Sequence, residues 1–287
     1  MSRPALWTCD LQPEQFTKIS QLVYRLCGIT MRPGKEGLVK ARLMKRLVAL
    51  GLESFTDYLA YVEGDTSGQE LVTMIDVLTT NKTSFFREPQ HFTYLRQHMV
   101  PQWRQNRHPI RFWSAGCSSG EEPYSLAMVL REALPETDRR DILILATDIS
   151  TRILATARQA VYTEETLSDV PAQLLHKYFM LVHREPTPTY QVNETIRGMV
   201  RLARLNLMHK WPMRGPFDAI FCRNVMIYFD KPTQEGLVQR FWTLLQPGGH
   251  LFIGHAESLS AASHHFRYVQ PAVYMRPLDS ATTRNEP

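Results

Sequence analysis

The sequence predicts an α/β protein: a Rossmann-like open sheet flanked by helices, carrying a small inserted β-subdomain and preceded by an all-α segment. Three observations predict it. The first 80 residues place apolar side chains at helical spacing and show no strand pattern. From about residue 110, short apolar runs alternate with helical stretches, the pattern of a doubly wound sheet. The stretch 162–199 breaks that alternation and reads as an insertion.

In the first segment, Phe16, Ile19, Leu22, Val23 and Leu26 define a helix over 13–27 that Gly28 stops. Val39, Leu43, Leu47 and Leu50 define a second over 38–50, closed by Gly51. Ser54 to Asp57 reads as a capping box opening a third helix that ends at Gly64, and 67–70 opens a fourth that runs to about Thr79. Pro89 starts a helix toward Val100, ahead of Pro101. Strands follow at 110–115, 142–147, 200–205, 217–222 and 251–254, with helices at 123–134, 151–160 and 233–245 between them. The insertion holds a helix at 171–179 and strands around Leu181 and Tyr190. The expected organisation is an all-helical domain at 1–80, a linker at 81–94, the α/β domain at 95–279 and a disordered tail at 280–287.

Composition narrows the function. Of the 287 residues, 44% are hydrophobic and 21% charged, ordinary for a soluble globular protein. No run approaches the roughly 18 apolar residues of a membrane span, so no membrane insertion is expected. Residues 1–16 contain no apolar signal core, so no secretory leader is expected. Cys9, Cys27, Cys117 and Cys222 form no C-x-x-C pair, which argues against a zinc site or a disulfide framework. Reduced thiols and a cytoplasmic location are the simple expectation. The net charge of +5 suits either an acidic partner or ordinary surface charge. Basic residues gather on the second helix, where Arg42, Lys45 and Arg46 share a face beside the apolar stripe. That face reads as a docking surface or as a solvated helix side.

Candidate chemistry sits at the strand ends. Residues 111–123 run from a strand through Gly116-Cys117-Ser118-Ser119-Gly120 into Glu121-Glu122-Pro123. Small side chains let a ligand approach the backbone. The spacing is G-x-x-x-G, so the dinucleotide fingerprint is not met. Two carboxylates there disfavour a pyrophosphate and favour a cofactor bearing sulfonium and ammonium groups. A tight structural turn explains the loop equally well. Asp148, ending the second strand, could accept from two ribose hydroxyls or cap the next helix. Asn206 and Leu207 could meet an adenine edge, or Asn206 could serve a turn. The apolar run 217–222 empties into Arg223 and Asn224, where reacting groups belong. The run 245–254, with its Pro-Gly-Gly turn, is common in class I methyltransferases and says little about substrate.

Three longer motifs are more specific: Thr79-Thr80-Asn81-Lys82-Thr83-Ser84-Phe85-Phe86-Arg87-Glu88, then Gly120-Glu121-Glu122-Pro123-Tyr124-Ser125, then Cys222-Arg223-Asn224-Val225-Met226-Ile227-Tyr228-Phe229. Together they closely resemble the CheR family of chemotaxis receptor methyltransferases, from about Phe16 to Tyr274 and in the same order. The resemblance implies a class I S-adenosylmethionine (AdoMet) methyltransferase fold. It also implies methylation of glutamate side chains in the cytoplasmic helical region of chemoreceptors, with S-adenosylhomocysteine as product. Carried over by motif, Asn81, Thr83, Arg87, Glu122, Asp148, Asn206, Leu207, Arg223 and Asn224 would line the cofactor site, with Glu121 an alternative to Glu122. The linker would thus contribute to that site. Arg87 and Tyr228 would lie nearest the transferred methyl. A glutamate, with a reference pKa of about 4.3, is already ionised at neutral pH and needs no base. Arg87 would hold its carboxylate by paired hydrogen bonds and Tyr228 would orient it. The alternatives are an Arg87 paired with Glu88 and a Tyr228 buried in the core.

Some family members use the inserted subdomain to take up a receptor's C-terminal peptide as an added strand, through a glycine-rich loop flanked by arginines. Here the stretch 180–191 has no glycine, two prolines and one arginine. That composition argues against peptide tethering and favours docking through Arg42, Lys45 and Arg46. A monomer without metal is expected. The competing readings are a nucleic-acid methyltransferase and a non-catalytic docking module. The first lacks an Asn-Pro-Pro-aromatic motif after 222 and shows no basic residues interleaved with stacking aromatics. The second gives no reason to keep Arg87, Glu122, Asp148 and Asn224 together.

Overall fold

The computed structural model describes residues 9–105, 108–134, 141–259 and 264–278. The expected disordered tail at 280–287 lies outside them. The chain divides into two compact units, one running to Thr80 and including Tyr228–Asp230, the other holding the remainder from Asn81.

The helical unit follows its sequence closely. Helix α1 (Pro13–Cys27) buries Phe16, Ile19, Val23 and Cys27, and Gly28 closes it in the left-handed conformation at φ 72°. Helix α2 (Glu36–Leu50) buries Val39, Leu43 and Leu47, and its Gly51 cap repeats the device at φ 68°. Ser54 caps α3 (Phe55–Gly64) by accepting from the Asp57 N–H, and α4 (Gln69–Leu78) completes the set. The basic face of α2 differs from a free docking surface. Arg46 forms a two-pronged pair with the buried Glu70, at 2.9 and 2.6 Å, and the Tyr58 hydroxyl donates to the same carboxylate. Arg42 donates to the carbonyls of Leu78 and Thr79 and to the Thr80 hydroxyl, closing the end of α4. Both arginines are thus committed to the unit's interior, and of the three Lys45 alone is classed exposed. Within this unit the Tyr228 hydroxyl lies 3.4 Å from the Thr80 carbonyl, and the Thr30 N–H donates to the Tyr228 carbonyl.

The larger unit begins with α5 (Pro89–Tyr94), which continues through a π-helical turn, Leu95–Met99, into α6 (Val100–Gln105). The helix therefore passes Pro101 instead of stopping before it. The π turn shifts the hydrogen-bond register, and Pro101 falls in the first turn of the following segment, where its missing N–H is not needed. Then come β1 (Ile110–Ala115), α7 (Glu121–Ala133), β2 (Ile142–Asp148) and α8 (Thr151–Gln159). The insertion contributes β3 (Val161–Thr163), α9 (Ala172–Tyr178), β4 (Phe179–His183) and β5 (Thr189–Val192). The chain returns through α10 (Glu194–Arg197), β6 (Val200–Arg204), β7 (Phe217–Cys222), α11 (Lys231–Leu244) and β8 (Leu245–Ile253), and ends in the hairpin β9 (Arg267–Gln270) and β10 (Val273–Met275).

Among the described residues these strands form two sheets, one ordered β6-β2-β1-β7-β8-β10-β9 and one ordered β3-β5-β4. The pairs from β6 to β8 are parallel and β10 runs antiparallel to both neighbours. The chain leaves β1 toward β2 and β6 on one side and returns to β7 and β8 on the other. A crevice therefore opens beyond the carboxyl ends of β1 and β7, where doubly wound sheets bind ligands.

Adjacent residues of β1 show why the sheet is buried on both faces. Phe112 packs on Trp103 of α6 and stacks on Phe221, while Trp113 packs on Trp211 and on Phe241 of α11. Successive strand residues point to opposite faces, so each face has its own aromatic layer. Strand β8 is longer than the apolar run 251–254 suggests. It pairs with β7 from Leu245 onward, with a register shift between Phe217 and Ala219 that accommodates the Pro247-Gly248-Gly249 stretch.

Candidate active site

The first wall of the crevice is the loop after β1. The Gly116 and Cys117 N–H groups donate to the Thr147 carbonyl at 2.8 and 2.9 Å, turning the chain sharply back. Gly120 begins α7 at φ 101°, and a Cβ there would stand 2.9 Å from the Tyr162 hydroxyl, so only glycine fits. The Ser118 N–H donates to Asp148 Oδ2 at 2.9 Å and the Ser118 hydroxyl to the Asn81 carbonyl at 2.9 Å. Linker, first loop and second strand thus meet at one point.

Asp148 is not the cap of α8, because Ser150 holds that place and accepts from the Ile153 N–H. The Asp148 carboxylate is fixed by the backbone N–H groups of Ser118 and Ser150. It lies at the carboxyl end of β2, where doubly wound sheets bind ligands. Asn206 follows β6 in an Asx turn, its Oδ1 accepting from the Met208 N–H at 3.0 Å. Leu207 is buried and its carbonyl accepts from the Trp211 indole. The Oδ1 of Asn206 therefore serves the turn.

A three-part ion cluster forms the second wall. Arg223, at the end of β7, has a side chain only 2% exposed. Its guanidinium reaches Glu88 at 3.1 Å and Glu122 at 3.2 Å, and it also donates to the Arg87 carbonyl. Ser114 donates to the other Glu122 oxygen at 2.6 Å. Burial pushes the Glu122 carboxyl above its ordinary value, with the Arg223 charge acting against that rise. Burial is the largest influence on Glu88 and works to raise it, but the Arg223 charge and the His255 N–H, acting together, hold that carboxyl below its ordinary value. Glu121 turns away, takes two bonds from the Ser119 hydroxyl, and is raised by burial. Glu122 is therefore the carboxylate joined to the cluster.

Glu88 was visible in the sequence only as a neighbour of Arg87. Its true partner is Arg223, far along the chain, which frees Arg87. Among the described residues the Arg87 guanidinium donates through Nη1 alone, to the Lys82 carbonyl at 2.9 Å, and its side chain is half-buried. Thr83 is half-buried between them in sequence. Glu88, His91 and His255 bring potential ligand atoms within 4.8 Å of one another. The Arg223 guanidinium already engages Glu88 Oε2 and would repel a cation, so this group belongs to the arginine's surroundings.

Asn224 adds a specific vacancy in hydrogen bonding. Its Nδ2 lies 3.5 Å from Glu88 Oε1, while its Oδ1 is buried without a partner. A buried acceptor of this kind awaits a donor. Backbone strain gathers here as well. Phe86, Glu88, Ser118 and Asn224 all have positive φ, between 49° and 59°. Non-glycine residues hold that conformation at a cost, and such positions cluster at ligand sites.

Residues 81–275 match the CheR methyltransferase SAM binding domain, and residues 14–79 match the CheR methyltransferase all-alpha domain. The chain belongs to the CheR methyltransferase family. Among curated relatives, chemotaxis protein methyltransferase 2 of Pseudomonas aeruginosa is 43% identical over 262 residues, spanning 91% of this chain and 92% of that protein. The chemotaxis protein methyltransferase of Escherichia coli is 41% identical over 265 residues, spanning 92% and 91%. The probable chemotaxis protein methyltransferase of Rhizobium etli is 41% identical over 247 residues, spanning 85% and 92%. The all-α domain followed by a mostly parallel sheet fits that family, and its cofactor is S-adenosylmethionine. The residues fit that cofactor: Asn224 Oδ1 lacks a donor, which an ammonium supplies, and the crevice offers carboxylates where a dinucleotide site offers bare N–H groups. Among the described residues no helix is long and apolar enough to cross a membrane.

Tyr228 belongs with the helical unit, whereas Asn81, Thr83, Arg87, Glu121, Glu122, Asp148, Asn206, Leu207, Arg223 and Asn224 belong to the larger one. Sequence reading missed Ser114, Ser118, Glu88 as the Arg223 partner, and Glu257. Glu257 follows the last parallel strand by a few residues, and an acid so soon after a strand end was the available signal.

Proposed function

We propose that this protein methylates glutamate side chains of chemoreceptors, forming glutamate methyl esters during chemotactic adaptation. The supporting observation is the division of labour at the crevice. Arg223 engages both Glu88 and Glu122, and Arg87 keeps most of its guanidinium donors uncommitted. A carboxylate substrate then has a cation to bind, while the neighbouring acids Glu88 and Glu122 are held by Arg223.

S-adenosylmethionine, when bound, supplies a methyl on a sulfonium whose departure leaves a neutral thioether. Asp148 would hold the ribose, Asn224 the ammonium, and Asn81, Thr83 and the backbone at Asn206 and Leu207 the rest of the cofactor. Glu122 would hold the Arg223 guanidinium in place beside Glu88. Arg87 would grip the incoming carboxylate in two-point fashion and strip part of its water. The substrate arrives already ionised, so no residue need accept a proton.

Two docking modes compete. Lys45 and the exposed flank of α2 would meet acidic receptor helices in the cytoplasm. The insertion offers a second mode despite its lack of glycine: β4 is an edge strand, and its Met180, Leu181 and Val182 are exposed at 53%, 42% and 38%. An exposed apolar edge is a template for an added strand. Tritiated-methyl transfer to receptor cytoplasmic fragments, with and without their C-terminal peptide, separates the modes. Equal rates on both fragments favour the helical face, and a rate that falls on removing the peptide favours β4. No transfer to either fragment removes the receptor reading.

A further inference from the structure

Glu257 is a half-buried carboxylate that the chemistry above does not use. It lies on the chain beyond β8 and accepts backbone N–H bonds from two segments. Oε2 takes the N–H of Asn224 at 2.9 Å and of Gly254 at 2.6 Å, and Oε1 takes the N–H of Ile227 at 3.1 Å. Strands β7 and β8 end side by side, with Cys222 opposite Ile253, so the carboxylate closes the gap just past both ends. Gly254 leaves no space for a side chain there: a Cβ would stand 2.9 Å from the Asn224 nitrogen and 2.9 Å from Glu257 Oε2. Asn224 itself sits at φ 59°. A residue held in that region relaxes unless its surroundings fix it.

We propose that Glu257 is a positioning residue: it clamps the backbone of 224–227 so that Asn224 is presented to the cofactor before the cofactor arrives. This rests on the crevice being the S-adenosylmethionine site. The clamp requires an ionised acid's geometry. A carboxylate offers acceptors on both oxygens, whereas glutamine offers one acceptor and turns an NH₂ against backbone N–H donors. Preorganisation of this kind spends no binding free energy on ordering the loop.

The test uses the full chain and S-adenosylhomocysteine as probe. Glu257→Gln should raise its Kd at least tenfold in isothermal titration and raise the KM for S-adenosylmethionine more than it lowers kcat. Asp218→Asn is the control. Asp218 is a buried acid at the start of β7 that holds the Arg111 N–H at 2.8 Å and Gln246 at 2.8 Å, away from the strand ends that form the crevice. It should lose stability in urea with its Kd unmoved. A Glu257→Gln Kd within twofold of wild type, with wild type binding normally, overturns the clamp alone. A wild-type protein that binds no S-adenosylhomocysteine overturns the site reading together with it. Should Glu257→Gln not fold, amide hydrogen exchange on wild type decides. The proposal expects the peptide spanning 224–227 to be protected without ligand, and rapid exchange that slows only on adding S-adenosylhomocysteine contradicts it.

Discussion

At the residue scale the account turns on buried charge. Arg223 joins Glu88 and Glu122 in a site that excludes most water. Removing one member of such a group leaves uncompensated charge, which costs about 3–5 kcal/mol. Arg223→Ala should therefore unfold in urea at clearly lower concentration than wild type, whereas Arg87→Ala should unfold at nearly the wild-type midpoint yet lose at least a hundredfold in methyl transfer. A near-normal rate for Arg87→Ala would contradict its role. Burial also sets a pH dependence. It lowers His91 from 6.5 to about 3, helped by the Arg223 charge, and lowers His250 from 6.5 to about 4. Both imidazoles are neutral in the fold and gain protons on unfolding below pH 6.5. Stability falls as pH drops from 6.5 toward the folded values, by up to about 1.4 kcal/mol per pH unit for each imidazole. The raised carboxyls of Glu121, Glu122 and Glu257 work in the opposite sense as pH falls. The comparison is thus best made by difference: urea unfolding at pH 7 and pH 5 should show a smaller drop for His250→Gln than for wild type. An equal drop would mean that His250 titrates normally.

At the element scale α2 carries the sharpest lesson. Its charges looked alike on a helical wheel, but two of them are spent inside the unit. Arg46→Glu would set a second acid against the buried Glu70, and a loss of about 3 kcal/mol or more is expected from the broken pair. Lys45→Glu should leave urea stability unchanged within about 0.5 kcal/mol. Any fall in receptor methylation for that variant then reports docking, and unchanged turnover would assign the α2 face to solvent. The sequence could not separate these residues, because the partner of Arg46 lies on α4 and that of Arg42 at its end. Where information was local the reading held: Gly28 and Gly51 stop α1 and α2, and Ser54 caps α3. The hairpin β9–β10 escaped notice because strands of four and three residues are too short to show alternation.

At the scale of the whole molecule the α/β class was legible because the parallel strands are buried on both faces and read as continuous apolar runs. The strand ends were legible too, since Asp148, Arg223 and Asn224 interrupt those runs abruptly. Their pairing was not, because Glu88, Glu122, Arg223 and Glu257 come from four separate stretches that only the fold assembles. The substrate rests on the chemistry of an uncommitted Arg87 beside acids held by Arg223, and the most direct test examines the bond formed. Tritiated S-adenosylmethionine should be incubated with the protein and receptor cytoplasmic fragments, and the labelled product then treated with mild alkali. Glutamate methyl esters release the label as volatile methanol, and that release is the expected result. Label that resists alkali, or that enters nucleic acid instead of receptor, would contradict the account.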